Sequence, residues 1–225
     1  MQLALRFRTW GGRRAGAGRK PGGERSGVPH RRRSPLNGRH PLHVTMRLKS
    51  GLPTLRQKAL ARVVFGAFAE AKEKFGTRVV QFSVQSNHLH LLVEAADALA
   101  FARAMKGLAV RLARRINRKV RRRGRVFSDR YHARALKTPR EVRLALIYVL
   151  RNHHRHSTGA GRPAAFDAFS SAAYFDGFTR GVPRWPRHGF APSKGSPVAR
   201  AETWLLRHGW RRLGLIGLRD VPARD

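Results

Sequence analysis

The sequence predicts an α+β fold: an antiparallel sheet with helices packed on it, preceded by a basic arm and followed by a C-terminal extension. Three observations carry the prediction. Stretches at 43–48, 78–84 and 88–94 alternate in polarity or are rich in β-branched residues, as strands are. Between them, apolar residues recur at helical spacing. Two of the helix starts, at Asp97 and Thr138, carry capping residues.

In chain order, residues 1–40 hold eleven Lys and Arg against one acid, with Gly and Pro throughout, which marks a disordered arm. His43-Val44-Thr45-Met46-Arg47-Leu48 then reads as a strand. Leu60, Val64, Phe68, Ala71 and Phe75 share one helical face within 54–75, and Gly76 ends that run. "RVVQFSV" is a second strand, Ser86-Asn87 a tight turn, and "HLHLLVE" a third strand pairing back on it. Asp97 opens a long helix whose buried stripe is Phe101, Met105, Leu108, Leu112, Ile116 and Val120. "RVFSDRYHARALK", 125–137, is a fourth strand. In "TPRE", Thr138 is the N-cap, Pro139 takes the first helical position and Glu141 closes a capping box, so a last helix runs through "VRLALIYVLRNHHRH". The order over 41–157 is thus β-α-β-β-α-β-α, and its first six elements match the ferredoxin-like split βαβ arrangement. Residues 158–225 form an extension: a connector, an aromatic-rich segment at 166–178, a loop, and a short amphipathic helix docking through Trp204 and Trp210.

Composition narrows the partner. Lys and Arg number 48 against 12 Asp and Glu, a formal charge of +36 that calls for a strongly anionic partner, most economically nucleic acid. No run approaches 18 apolar residues, so no membrane span is expected, and the arginine-rich start lacks the apolar core of a secretory signal. The expected location is cytoplasmic and nucleoid-associated. Absence of cysteine removes disulfides and thiolate zinc sites. Only six carboxylates fall between 41 and 157, too few to cluster readily for a two-metal nuclease. No phosphate-cradling glycine loop is present, so no nucleotide cofactor is expected.

Chemistry points to two places. In "QSNHLHLLVE" (85–94), His88 and His90 share one face of a strand while Leu89, Leu91 and Val93 share the other. Such a pair of imidazoles can bind a metal or sit hydrogen-bonded in a core. On the last helix Tyr148 and Asn152 stand one turn apart, opposite the stripe of Val142, Ala145, Leu146 and Val149. Arg151 and Arg155 flank them. A phenol beside an amide able to ligate a metal and two cations is the equipment of a nucleophile that attacks a phosphodiester. Tyr131 is the rival phenol, but its place on a strand favours packing or base stacking. The run His153, His154 and His156 reads as a charge patch at a helix end. His132 has no evident partner.

"NHLH" opening a strand, in a βαββαβα chain followed by "YVLRN" on a capped helix, resembles the single-tyrosine HUH transposases, in particular the REP-associated tyrosine transposases. The resemblance covers about 41–157. It implies an HUH-endonuclease type of fold, with His88, His90 and Asn152 as ligands of Mg²⁺ or Mn²⁺ and Tyr148 as nucleophile. It further implies cleavage of single-stranded DNA near hairpins through a 5′-phosphotyrosine, with rejoining as the reverse reaction. The chain departs from the family pattern in three places. Gln85-Ser86 precede Asn87-His88 where relatives have Met-Pro, His153 follows Asn152 in place of Pro, and Phe127 stands where Trp is common. None of these removes an implied catalytic group.

The expected DNA track is the long helix and its basic end. Arg111, Arg114, Arg115, Arg118, Lys119, Arg121, Arg122 and Arg123 belong to a stretch, 97–137, with fourteen cations and two acids. Arg151 and Arg155 are expected to add phosphate contacts beside the tyrosine. The leading expectation is therefore a metal-dependent DNA strand-cleaving and strand-joining enzyme acting on hairpin or repeat DNA, as a monomer or homodimer. The alternative is a non-catalytic, domesticated hairpin-binding protein. A replication initiator sharing the chemistry is a third reading, for which the C-terminal tail is short.

Overall fold

Among the described residues the chain forms five strands and four α-helices: β1 (Leu42–Arg47), α1 (Lys58–Ala71), β2 (Glu73–Lys74), β3 (Thr77–Val84), β4 (His88–Ala95), α2 (Ala98–Lys119), β5 (His132–Ala135), α3 (Pro139–Arg151) and α4 (Trp204–Arg207). The structure, a computed structural model, describes residues 36–152, 166–179, 195–217 and Asp220. The expected basic arm up to residue 35, the connector, the loop at 180–194 and the His153, His154, Arg155 and His156 cluster lie outside the described residues.

The strands form one antiparallel sheet in the order β2-β3-β4-β1-β5. Apart from the added β2, this is the split βαβ order, with β4 and β1 at the centre. Period two sorts the two central strands by face. Val44 and Met46 of β1 and Leu89, Leu91 and Val93 of β4 point to one side, where they pack on Leu60, Val64 and Phe68 of α1 and on the α2 stripe. That stripe is the expected one through Ile116; Asp97 accepts from the Ala100 N–H at 2.8 Å, and Val120 is the C-cap. Each fully buried Leu or Phe here contributes roughly 1.5–3 kcal/mol through loss of apolar surface to water.

The other face carries a second apolar cluster. Leu92 and Val80 meet Val142, Leu146, Val149 and Leu150 of α3, together with Phe166, Phe175, Phe178, Leu205, Leu206 and Trp210 from the C-terminal extension. The capping box of α3 is complete: Thr138 accepts from the Glu141 N–H, and the Glu141 carboxylate accepts from the Thr138 N–H.

The extension is held by charge as well as by apolar contact. Both oxygens of Asp167, 1% exposed, receive Arg56 N–H groups at 2.9 Å. The buried Glu94 carboxylate accepts from the backbone N–H groups of Glu202 and Thr203 and from the Thr203 hydroxyl, which itself caps α4. A buried carboxylate is tolerable only when its oxygens are satisfied this way. Val84 N–H donates to Phe169 O and Ala199 N–H donates to Val79 O, so segments of the extension pair along β3 where β2 leaves its edge open.

Four local expectations are corrected. The first helix ends at Ala71, four residues early, because Phe75 (φ 54°) and Gly76 (φ 69°) both turn left-handed and fold 73–78 into a two-residue hairpin. Phe75 is consequently 63% exposed, not buried. The fourth strand shrinks to His132–Ala135, with a lone bridge from Phe127 to Leu48. Between them the Arg130 N–H turns to the Asp129 carboxylate and the Ser128 N–H bonds the Arg47 carbonyl, which interrupts the ladder. Trp210 is buried as expected, but Trp204 is 49% exposed. The C-terminal helix is one α turn followed by a 3₁₀ turn at Gly209–Leu213.

Candidate active site

The face of β4 that meets α3 begins with His88 and His90. Antiparallel register sets Arg47 opposite His88, Thr45 opposite His90 and His43 opposite Leu92. On the far side of β1, His132 stands opposite Thr45 and Arg134 opposite His43. Directly opposed side chains share a face. The sheet therefore presents one polar surface running from β4 across β1 to the edge strand β5.

α3 lays Tyr148 onto that surface. Its hydroxyl lies 3.4 Å from His90 Nε2, long for a hydrogen bond but within the range of catalytic contacts before substrate arrives. The tyrosine ring stands edge-on to His90, centroids 4.9 Å apart at 82°, and to His43 at 5.7 Å and 70°. His88 and His90 meet edge to face at 4.6 Å. The remaining His90 nitrogen, Nδ1, is 3.2 Å from both Thr45 Oγ1 and His43 Nε2. His88 Nδ1 is 2.8 Å from Asn87 Oδ1. Tyr148, His90 and His88 thus come together within one chain.

Asn152, the C-cap of α3, follows Tyr148 by one turn and shares its helical face. It is 1% exposed, and neither its amide oxygen nor its amide nitrogen has a hydrogen-bond partner among the described residues. Leaving such a group unpaired costs about 1–3 kcal/mol, which a ligand would relieve. Two imidazoles and an amide form a neutral donor set. No group of three His, Cys, Asp or Glu that could hold a metal ion occurs among the described residues. In donor chemistry, two imidazoles and an amide suit a divalent cation that completes its shell with water and substrate oxygens, as Mg²⁺ and Mn²⁺ do.

The cations are distributed differently from expectation. Arg151 does not face DNA. It is 1% exposed, donates to the Gly217 carbonyl at 3.0 Å, and lies near enough to Asp220 to feel its charge; burial is the larger influence and lowers its pKa. Three residues after Tyr148, it lies about 60° around the helix from the phenol, on the side that Gly217 covers. Arg111 and Arg115 join α2 to α1 through Glu70, at 2.8 and 2.6 Å. Arg122 turns back on the Arg125 carbonyl. Arg114, Arg118, Lys119, Arg121 and Arg123 are exposed. The loop that follows α2 is stitched to the end of the sheet that carries His88: Lys49 N–H donates to Val126 O, Ser128 N–H to Arg47 O, and Leu48 N–H to Asn87 O. Arg155 lies outside the described residues.

The rival residues are placed as well. Tyr131 packs edge-on against Phe101 at 5.2 Å, in the cluster on the opposite side of the sheet. His132 is exposed on the polar surface, two strands from His90. Sequence reasoning missed His43, Thr45 and Arg47 as neighbours of the imidazoles. The alternation His43-x-Thr45-x-Arg47 was visible, but which strand lies beside β4 was not.

His43 supplies a pH test. Burial, then the Arg134 and His132 charges, lower its pKa from 6.5 to about 4. Its other facing groups are His90 and Tyr148. A depressed pKa means the unfolded chain takes up the proton first, so stability present above pH 6.5 is lost as pH falls toward 4. The metal-free protein is expected to lose on the order of 3 kcal/mol across that window. Urea titrations of the wild type and a His43→Asn variant check this; the variant should lack that part of the slope.

Among the described residues no helix is long and apolar enough to cross a membrane. No curated protein sequence matches the chain at significance. Among solved structures, the chain is similar to a REP-associated tyrosine transposase bound to a REP hairpin, with a TM-score of 0.51 and 14% identity. The match covers 64% of this chain and 82% of that one, and shows a common fold. The model of the family described as "Transposase IS200 like" matches residues 38–150, half of the chain and every element from β1 to α3. The chain belongs to the IS200-like transposase family.

Proposed function

We propose that this transposase is a single-strand DNA endonuclease and strand transferase that uses Tyr148 as its nucleophile on hairpin or repeat DNA. The observation that carries the proposal is the approach of the Tyr148 hydroxyl to His90 Nε2 within one chain. In the reaction, the Tyr148 oxygen forms a bond to phosphorus and the bond from phosphorus to the 3′ oxygen breaks. The tyrosine proton leaves to water in the site, since the His90 Nε2 lone pair would be committed to the cation. The departing 3′ oxygen takes up a proton, leaving a 5′-phosphotyrosine and a free 3′-OH. Attack by a 3′-OH on the phosphotyrosine reverses these steps and joins strands. His88, His90 and Asn152 would hold the divalent cation, Mg²⁺ or Mn²⁺, which when bound supplies charge to polarise the scissile phosphate. Family membership supports the reaction class. A shared fold with a hairpin-bound structure, and the exposed cations at the end of α2, support the substrate class.

The test is incubation of the protein with a labelled hairpin oligonucleotide and Mn²⁺, read on a denaturing gel. A covalent protein–DNA band is expected. Salt-sensitive binding without any adduct in Mg²⁺ or Mn²⁺ would instead establish the non-catalytic alternative.

A further inference from the structure

We infer that Asn87, with Thr45 and His43, positions the imidazoles by fixing their tautomers, so that His88 and His90 both carry hydrogen on Nδ1 and keep the lone pair on Nε2. The inference concerns the residues around the site and rests on the metal-binding reading above. Its basis is the partner that each Nδ1 meets. An amide carbonyl oxygen can only accept, so Asn87 Oδ1 at 2.8 Å requires a hydrogen on His88 Nδ1. A neutral imidazole with that hydrogen has its lone pair on Nε2. His90 Nδ1 lies 3.2 Å from Thr45 Oγ1 and from His43 Nε2, each able to accept its hydrogen or to donate one, and its Nε2 points to the Tyr148 hydroxyl; we assign acceptance, which leaves Nε2 able to accept from that hydroxyl.

Two different devices thus produce one outcome. For His88 the partner is the preceding residue, exposed in the β3–β4 turn and tied to β1 by its own carbonyl, which accepts from Leu48 N–H at 2.8 Å. For His90 the partners come from the neighbouring strand through register. Partners of this kind typically tune metal affinity by about 10- to 100-fold, because a ring in the other tautomer offers hydrogen where a lone pair is needed. Among the described residues the Asn87 side chain makes no hydrogen bond besides the one to His88.

Two measurements test this. In the metal-free protein, imidazole nitrogen NMR, assigned with His88→Gln and His90→Gln variants, reads the tautomers directly. Hydrogen on Nδ1 of both rings is expected, with a tautomer mixture at His88 in Asn87→Ala. Hydrogen on Nε2 of His88 in the wild type overturns the inference whether or not metal binds. In the second, Mn²⁺ affinity is measured by electron paramagnetic resonance. Asn87→Ala should weaken it about 10- to 100-fold at an unchanged melting temperature, while Asn87→Asp, which still accepts, retains wild-type affinity or better. Equal affinity in wild type and Asn87→Ala overturns the inference. Failure of the wild type to bind Mn²⁺ at all overturns the metal-binding reading instead, and the NMR result still judges the tautomers.

Discussion

Replacement of Tyr148 by Phe is expected to abolish the covalent protein–DNA adduct while leaving hairpin binding within about twofold of wild type. The substitution removes one oxygen and little else. The ring is half-buried and packs edge-on against His90 and His43, contacts that a phenylalanine ring reproduces. Stability should therefore change by less than about 1 kcal/mol, while the proposed nucleophile is gone. Loss of a nucleophile commonly lowers rates by several orders of magnitude, so adduct should fall on the order of a thousandfold or more. The sequence contains three tyrosines, which makes the assay decisive. Tyr131 is packed on Phe101 across the sheet, and burial pushes the Tyr174 hydroxyl pKa up, away from reactivity. An undiminished adduct from Tyr148→Phe would move the nucleophile to one of these. A Tyr131→Phe control should leave the adduct intact.

The second large effect concerns Trp210. Its replacement by Ala is expected to destabilise the protein by about 3–5 kcal/mol, the usual loss for a large aromatic removed from a packed interior. Trp210 is 1% exposed, donates through Nε1 to the Leu206 carbonyl at 2.9 Å, and stacks on Phe175 at 5.5 Å and 29°. Arg211 covers it at 4.8 Å. The fit leaves no slack on the side of Gly177, where an added Cβ would sit 2.3 Å from the indole. The lost contacts belong to the cluster that backs Val149 and Leu150 of α3, so the variant should also form adduct more slowly near its melting temperature. Urea denaturation measures the first effect. A loss below about 1 kcal/mol would show that the extension contributes little to holding the tyrosine helix.

Much of this architecture is written in local sequence, and the exceptions have a common cause. The β4 alternation, the α2 stripe with its Asp97 cap, and the Thr138–Glu141 box each depend on residues within a turn or two of one another, and each appears as read. The approach of Tyr148 to His90 is a different case, since local pattern placed the two apart and only the resemblance to the family implied that they meet. Features that depend on distant partners could not be read in this way. Thr45 and His43 become neighbours of His90 only through strand register. Arg151 turns inward because a segment more than sixty residues later covers it. Asp167 and Glu94 read as ordinary acids until Arg56 and the α4 cap meet them. The short hairpin at Phe75 escaped for a different reason, since a left-handed phenylalanine is rare enough that the helical pattern outweighed it.

The arginines on the concealed side of α3 bear on how that helix can move. Arg143 grips the Gly214 and Leu215 carbonyls and the Asp220 carboxylate, and Arg151 grips the Gly217 carbonyl. The rod bearing the phenol and the last stretch of polypeptide are consequently a single mechanical part. Swinging the phenol away from the histidines, or trading that rod with a second copy, would drag residues 204–217 along with it. Such a motion would also tear Glu94 from its three donor groups at the far end of the same strand that starts with the two histidines.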